Sequence, residues 1–315
     1  MTRILICLFL CLSIPAVQAI IYRHDVAEEE YRKLALQPQF NCVGQIFESR
    51  RSPIGSCVLI SDRFVLTAAH VFMKSDQVPD TMFMQDGKLI KEADLPVAKK
   101  GETVSWQRLI VYKHINVRVG EAESYEFRFN RRRYKAKQII IFPEYNDSTI
   151  KEGADLALVE LEEAVTDVKP AALNTDFDEI GSRIVNVGFG VSGNAAKPED
   201  VDMYFSKLAG ENMVDTSTGR LYAGRPSVLQ FDFDHPSLKQ YNVIGSDTPL
   251  PLEHVCGGGD SGGGMFRQKG KEWELAGICS RTAIDINLLT RIGYYGHTAG
   301  YTRVSVFQDW IRKHL

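Results

Sequence analysis

Three residues able to pass a proton between them stand far apart in the chain: a histidine in the apolar run VLTAAHVF, an aspartate opening GADLALVELEE, and a serine within the glycine-dense HVCGGGDSGGGMF. They are His70, Asp155 and Ser261. A serine hydroxyl is a weak nucleophile at neutral pH unless a base removes its proton during attack. The oxyanion that follows needs backbone N–H donors aimed at one point, each worth about 3 kcal/mol. Glycines let the chain turn tightly enough to direct the N–H groups of Gly259 and Ser261 that way, which makes the stretch a shaped backbone rather than a loose connector. Taken singly, a histidine beside an apolar run is usually structural, and an aspartate at the head of a buried strand is costly unless paired. Only a fold can join the three.

The elements that must do so are short. CVGQIF, SCVLI, RFVLTAA, AKQIIIF, DLALVEL, RIVNVGFG, WELAGIC and GYTRV are apolar runs bounded by Gly, Pro, Asn, Asp or Ser, the pattern of a sandwich or barrel of many strands. The chain is therefore expected to be mostly β. A hairpin turn at SRRSP, folded back near residues 49 and 50, sets Cys42 roughly opposite Cys57, where a cross-strand disulfide is reasonable. At the C-terminus, Val306, Phe307, Trp310 and Ile311 share a helical face, and Ser305 with Gln308 fits a capping box, so a short amphipathic helix should close the chain. Residues 74–134 and 192–252 read as insertions without strong pattern.

Composition narrows the function classes. With 315 residues, 44% hydrophobic and 24% charged, the chain can bury a sizeable core, and a net charge of −3 gives no general reason to expect nucleic acid or an anionic membrane as partner. The basic run NRRRYKAK reads as a solvated face. Residues 1–19 carry Arg3, an apolar run from Ile4 to Ile14, and small residues at Val17 and Ala19, the layout of a secretory signal peptide. The run is shorter than the ~20 residues a spanning helix needs. Its removal leaves Cys42, Cys57, Cys256 and Cys279, an even number that suggests two disulfides in an exported chain, with three pairings open. Cysteines this scattered do not suggest a metal site. Asn146 begins the glycosylation sequon NDS.

TAAH at 67–70, DLAL at 155–158 and GDSGG at 259–263, in that order, resemble the trypsin- and chymotrypsin-like serine proteases. Weaker echoes, GSCVLIS, VGFG, LAGICS, GYTRV and FQDWI, extend the likeness over most of the chain. The resemblance implies an all-β fold of two six-stranded antiparallel barrels of the chymotrypsin type with a C-terminal helix, occupying residues 20–315, the halves meeting near 165–180. It implies Ser261 as nucleophile, His70 as general base then acid, Asp155 as the buried acceptor that orients the imidazole, and the N–H groups of Gly259 and Ser261 as oxyanion hole. Ser280 matches the serine that hydrogen-bonds the buried acid. No cofactor is implied.

The same resemblance pairs Cys256 with Cys279 on two segments walling the specificity pocket. It also pairs a freshly cut N-terminal ammonium with the acid before the nucleophile, here Asp260, and cleavage after Ala19 would expose Ile20.

Departures from the family pattern bear on specificity. Val71, not a cysteine, follows His70; Gly264 replaces the usual proline; and the approach to Ser261 is one residue longer than usual. The pocket floor falls near His254 or Val255, neither an acid, while Glu253 and Asp285 read as surface residues, so cleavage after Arg or Lys is not expected. His254 would favour an acidic side chain if it faced the pocket. The N-terminal segment lacks the family's Gly-Gly and is longer than usual, so later cleavage is open as well. The sequence thus points to a secreted, monomeric serine endopeptidase acting on protein or peptide substrates, with no nucleic acid and no membrane once the signal is removed. A binding protein on a protease scaffold and an esterase using the same nucleophile are the competing readings.

Overall fold

The computed structural model describes residues 20–49, 52–85, 88–91, 107–146, 153–197, 201–202, 206–284 and 294–315. The signal-like segment 1–19, most of the NDS sequon and Asp285 lie outside the described residues. The chain divides into two compact units, one holding Phe72–Gly120 and a larger one holding Ala16–Val71 and Glu121–Leu315.

The larger unit opens with β1 (Ile21–Tyr22) and helix α1 (Glu28–Ala35). The sequence reading had no element at α1, yet its charges fit a helix: Glu28, Glu29 and Glu30 in the first turn, Arg32 and Lys33 in the last, and a Glu28–Arg32 pair one turn apart. Its Tyr31 is buried and donates its hydroxyl to the Glu253 carbonyl at 2.9 Å. β2 (Val43–Glu48), β3 (Pro53–Leu59) and β4 (Phe64–Thr67) follow. The smaller unit is a three-stranded antiparallel sheet of β5 (Met73–Gln85), β6 (Lys88–Lys91) and β7 (Gln107–Val119), ordered β6-β5-β7.

With β8 (Tyr125–Phe129), β9 (Arg132–Ile141) and β10 (Ala157–Leu161), the first half closes into a six-stranded barrel ordered β10-β4-β3-β2-β8-β9. β8 illustrates the cause: Tyr125, Phe127 and Phe129 are buried while Glu126 and Arg128 alternate on the other face. β8 and the start of β9 fall inside 74–134, so that range is only partly an insertion.

The second half contains β11 (Ala172–Leu173), β12 (Arg183–Gly188), β13 (Ser192–Asn194), β14 (Val201–Asp202), β15 (Leu208–Met213), β16 (Thr216–Tyr222) and β17 (Arg225–Asp232). β18 (His254–Val255), β19 (Gly264–Lys269), β20 (Glu272–Ile284) and β21 (His297–Arg303) complete it. Its main sheet runs β15-β12-β19-β20-β21-β17-β16, with β11 parallel to β20, and a small sheet runs β14-β13-β1-β18. β15 and β17 lie within 192–252 and pair with the sheet over their length, because Leu208, Ala209, Val228, Leu229 and Phe231 are core residues.

The chain ends in a 3-10 turn (Val304–Phe307) and helix α2 (Gln308–His314), burying Phe307 and Ile311. The capping box is not formed. Ser305 instead donates to Glu179 at 2.7 Å and Gln308 to the Asn174 carbonyl at 3.0 Å, so both side chains are taken by a buried polar group beside Arg303.

Candidate active site

His70 sits in a 3-10 turn (Ala69–Phe72) directly after β4, and Asp155 lies just before β10, which pairs with β4 in the same barrel. That pairing explains the approach of two residues 85 positions apart. The His70 backbone N–H donates to Asp155 Oδ1 at 3.0 Å, and the His70 Nδ1 lies 2.7 Å from Asp155 Oδ2. On the other edge of the ring, Nε2 lies 2.8 Å from Ser261 Oγ. The three residues named from sequence therefore form one continuous hydrogen-bonded chain.

Asp155 is fully buried. Burial alone would push its carboxyl up, but the His70 charge and hydrogen bonds from His70 and Ser280 outweigh it and hold the group below its usual range. Ser280 Oγ donates to Oδ2 at 2.6 Å, and Thr302 Oγ1 donates to the Asp155 carbonyl at 3.0 Å. Thr302 was not singled out from sequence, although it lies in the GYTRV run.

Around Ser261 the backbone is fixed from both halves. The Ser56 N–H donates to the Ser261 carbonyl at 2.8 Å, and Ser56 Oγ both donates to the Gly259 carbonyl and accepts the Phe189 N–H, each at 2.9 Å. Gly259 and Gly262 have φ of +86° and +85°, left-handed values that favour glycine. A Cβ on Gly262 would also stand 2.0 Å from Thr67 Oγ1. Among the described residues the N–H groups of Gly259 and Ser261 donate to no protein acceptor, whereas those of Asp260, Gly262 and Gly263 each do. These two N–H groups, one on Ser261 and one two residues before it, are thus open to an acceptor.

Asp260 accepts the N–H groups of Gly190 at 3.2 Å and Gly257 at 3.1 Å, and forms no ion pair among the described residues. Burial pushes its carboxyl up to about 7. Ile20 is 1% exposed, and the register of β1 sets Ile21 opposite Gly193 and Val255.

Other expectations need correcting. The bridges Cys42–Cys57 and Cys256–Cys279 are not formed; all four cysteines are buried free thiols. In the first pair the β2–β3 register opposes Cys57 to Gly44, with a shift between Ile46 and Phe47, so Cys42 stands diagonal to Cys57 rather than opposite it. In the second pair Cys256 Sγ lies 3.4 Å from Thr282 Oγ1 instead, with Cys279 in the same buried cluster. Glu253 is not on the surface: it is 2% exposed, and Oε1 accepts the Asp234 N–H at 2.8 Å. His254 lies against Gly210 of β15, whose added Cβ would meet its ring at 2.4 Å. Burial pushes this imidazole down to about 4, so near neutral pH it is uncharged and provides no cation for an acidic side chain.

A hydroxyl, an imidazole and a buried carboxylate linked in series, set beside two free amides between two β-rich halves, define the serine hydrolases that work through an acyl-enzyme. The trypsin family model matches residues 107–311, and the chain belongs to that family, the trypsin-like serine endopeptidases. Asp155 and Ser261 fall within the match and His70 precedes it. Over 285 residues the chain is 24% identical to CLIP domain-containing serine protease B14 of Anopheles gambiae, covering 85% of this chain and 67% of that protein. Among solved structures it is similar to neuropsin, a serine protease expressed in the limbic system of mouse brain, with 18% identity, a TM-score of 0.47, and coverage of 93% of this chain and 98% of that one.

Proposed function

We propose that the protein hydrolyses peptide bonds with Ser261 as nucleophile, His70 as base and Asp155 as the acid that fixes the imidazole. The observation that carries this reading is the unbroken Asp155–His70–Ser261 contact, at 2.7 and 2.8 Å. Ser261 Oγ attacks the scissile carbonyl carbon as its proton passes to His70 Nε2. The resulting oxyanion takes hydrogen bonds from the Gly259 and Ser261 N–H groups. His70 then gives the proton to the leaving amine, the C–N bond breaks, and an acyl-enzyme remains. Water, deprotonated by the same imidazole, cleaves the ester and restores the serine. Asp155 stays ionised throughout and stabilises the imidazolium.

The activation reading follows from Asp260. A buried carboxyl with two N–H donors and no cation favours an incoming ammonium, and the neighbouring β1 register supports Ile20 as its source. Cleavage after Ala19 would make Ile20 the new terminus and is consistent with secretion. Among the described residues no helix is long and apolar enough to cross a membrane.

The test is a serine-directed phosphonate followed by adduct mapping, with wild type and Ser261→Ala compared on a peptide library. Labelling at Ser261 with peptide cleavage that the variant loses is the expected result. Ester turnover alone, or no labelling in chains starting at Ile20, overturns the reading. N-terminal sequencing of the active form showing a start other than Ile20 removes the activation step alone.

A further inference from the structure

Asp155 rests against one face of the strand pair β20–β21. Two hydroxyls on that face hold it: Ser280 Oγ donates to Oδ2 at 2.6 Å, and Thr302 Oγ1 donates to the backbone carbonyl at 3.0 Å. The register adds a third member. Thr302 is opposite Ile278 and Gly300 is opposite Arg281, with Ser280 as the extra residue where the pairing shifts between Cys279 and Arg281. Alternation along β21 sets Gly300 on the same face as Thr302, and directly opposed residues share a face, so the Arg281 side chain joins the face that carries Asp155.

Gly300 lets that side chain lie down. A Cβ on this glycine would stand 3.2 Å from Arg281 Cγ and 3.3 Å from its Nε and Cζ, so the guanidinium is spread along the strand. Two residues of strand, about 7 Å, separate that spot from the Thr302–Asp155 contact. Arg281 is half-buried, and its charge feels the carboxylate: burial pushes the group below its ordinary value while Asp155 pulls it back up. An arginine keeps its proton in a protein at any working pH, so a permanent cation stands near the buried acid.

The consequence falls on His70. Asp155 favours the imidazolium, which the transition state needs, but it equally favours protonation of the resting imidazole, which removes the base as pH falls. A fixed positive charge near the same carboxylate offsets part of that pull. The other ionisable groups close by are turned elsewhere: Asp260 accepts the Gly190 and Gly257 N–H groups, Cys279 and Tyr301 belong to the interior cluster, and Arg303 is bound to Glu179.

We propose that Arg281 is a positioning residue for the reaction, whose cation beside Asp155 keeps His70 available as a base at lower pH than the carboxylate alone would permit. The inference rests on the function proposed above.

The experiment takes the form of the protein that the phosphonate labels at Ser261 and follows the labelling rate against pH. Wild type is compared with Arg281→Met, which keeps length and bulk without charge, and with Arg281→Lys, which keeps the charge; Arg281→Gln is a second neutral variant that reads the same quantity if the methionine variant does not fold. In the neutral variants the acid limb should move up by about half a pH unit or more, which lowers the rate on that limb about threefold, while the plateau stays within about threefold of wild type. Arg281→Lys should keep the limb where wild type has it. A limb unmoved in the neutral variants overturns the proposal and leaves the function reading intact. Arg281→Lys shifting as far as they do overturns it as well, since packing over Gly300 rather than charge would then be the cause. Wild type that takes no label at Ser261 at any pH overturns the function reading, and this inference falls with it.

Discussion

Asp155 and Asp260 are both buried carboxylates, 0% and 2% exposed, yet the first is held below its ordinary range and the second is pushed up to about 7. Desolvation raises both. Asp155 recovers more than that cost from His70, on which it has two contacts, and from the Ser280 hydroxyl. Asp260 has two backbone N–H donors and no cation among the described residues, and these do not suffice. A buried acid is thus set by the partner charge, not by depth alone.

The most severe way to break this contrast is Asp155→Asn. It removes the charge that orients the imidazole, and kcat should fall about 10⁴-fold with little change in folding, measured by steady-state kinetics and circular dichroism. Next is the state of the N-terminus. In the chain with residues 1–19 attached, Asp260 holds its proton to about pH 7 when folded and releases it near 3.8 when unfolded, so its contribution to stability is full below about pH 4 and is lost as pH rises through 7. A chain starting at Ile20 should escape this loss and exceed the longer one on the order of 4 kcal/mol at pH 8, read by denaturant titration. Equal stability of the two chains at pH 8 would sink the Ile20–Asp260 pairing. Asp260→Asn should correspondingly stabilise the longer chain at pH 8 and not at pH 4.

Ser280→Ala takes one donor from the Asp155 side of the comparison. A hydrogen bond to a charged group is worth about 1.5–3 kcal/mol, so kcat should drop about tenfold, with the acid limb of the pH–rate profile displaced. The smallest effect sharpens the Asp260 side. Asp215 and Asp234, both pushed up to about 7 by burial and by neighbouring Asp232, repeat the unpaired case in the second half. Their raised values mean stability lost between pH 4 and 7, and because Asp215 is only half-buried its effect is discounted. Asp215→Asn should raise the thermal midpoint by a few degrees at pH 8 and leave it unchanged at pH 4.

The hydrogen-bonded chain Asp155–His70–Ser261 was legible because each member sits in a local pattern: a strand end for His70, a strand start for Asp155, a positive-φ glycine turn for Ser261. The closed barrel was legible in the runs CVGQIF, SCVLI, RFVLTAA, AKQIIIF and DLALVEL, but β8, inside the range read as an insertion, was missed although its buried and exposed residues alternate. What escaped depends on non-local detail. The Cys42–Cys57 pairing failed because the β2–β3 register runs two residues beyond the one that a turn at 49–50 implies, so that Gly44 faces Cys57, and the shift between Ile46 and Phe47 supplies only one of those steps. The capping box failed because Glu179, distant in the chain, draws Ser305 away. Glu253 read as surface because nothing near it in sequence announces the Asp234 amide that donates to its carboxylate beside that of Leu250. α1 could have been found, since its acid-first, base-last order is a helix signature in its own right.

The four sequestered sulfhydryls have a practical use. Desolvation keeps the Cys42 proton up to about 12 and that of Cys57 higher still, so alkylating reagents meet almost no thiolate while the barrel is intact. The rate of their modification in native buffer would therefore clock how often the molecule opens from within, with no probe added.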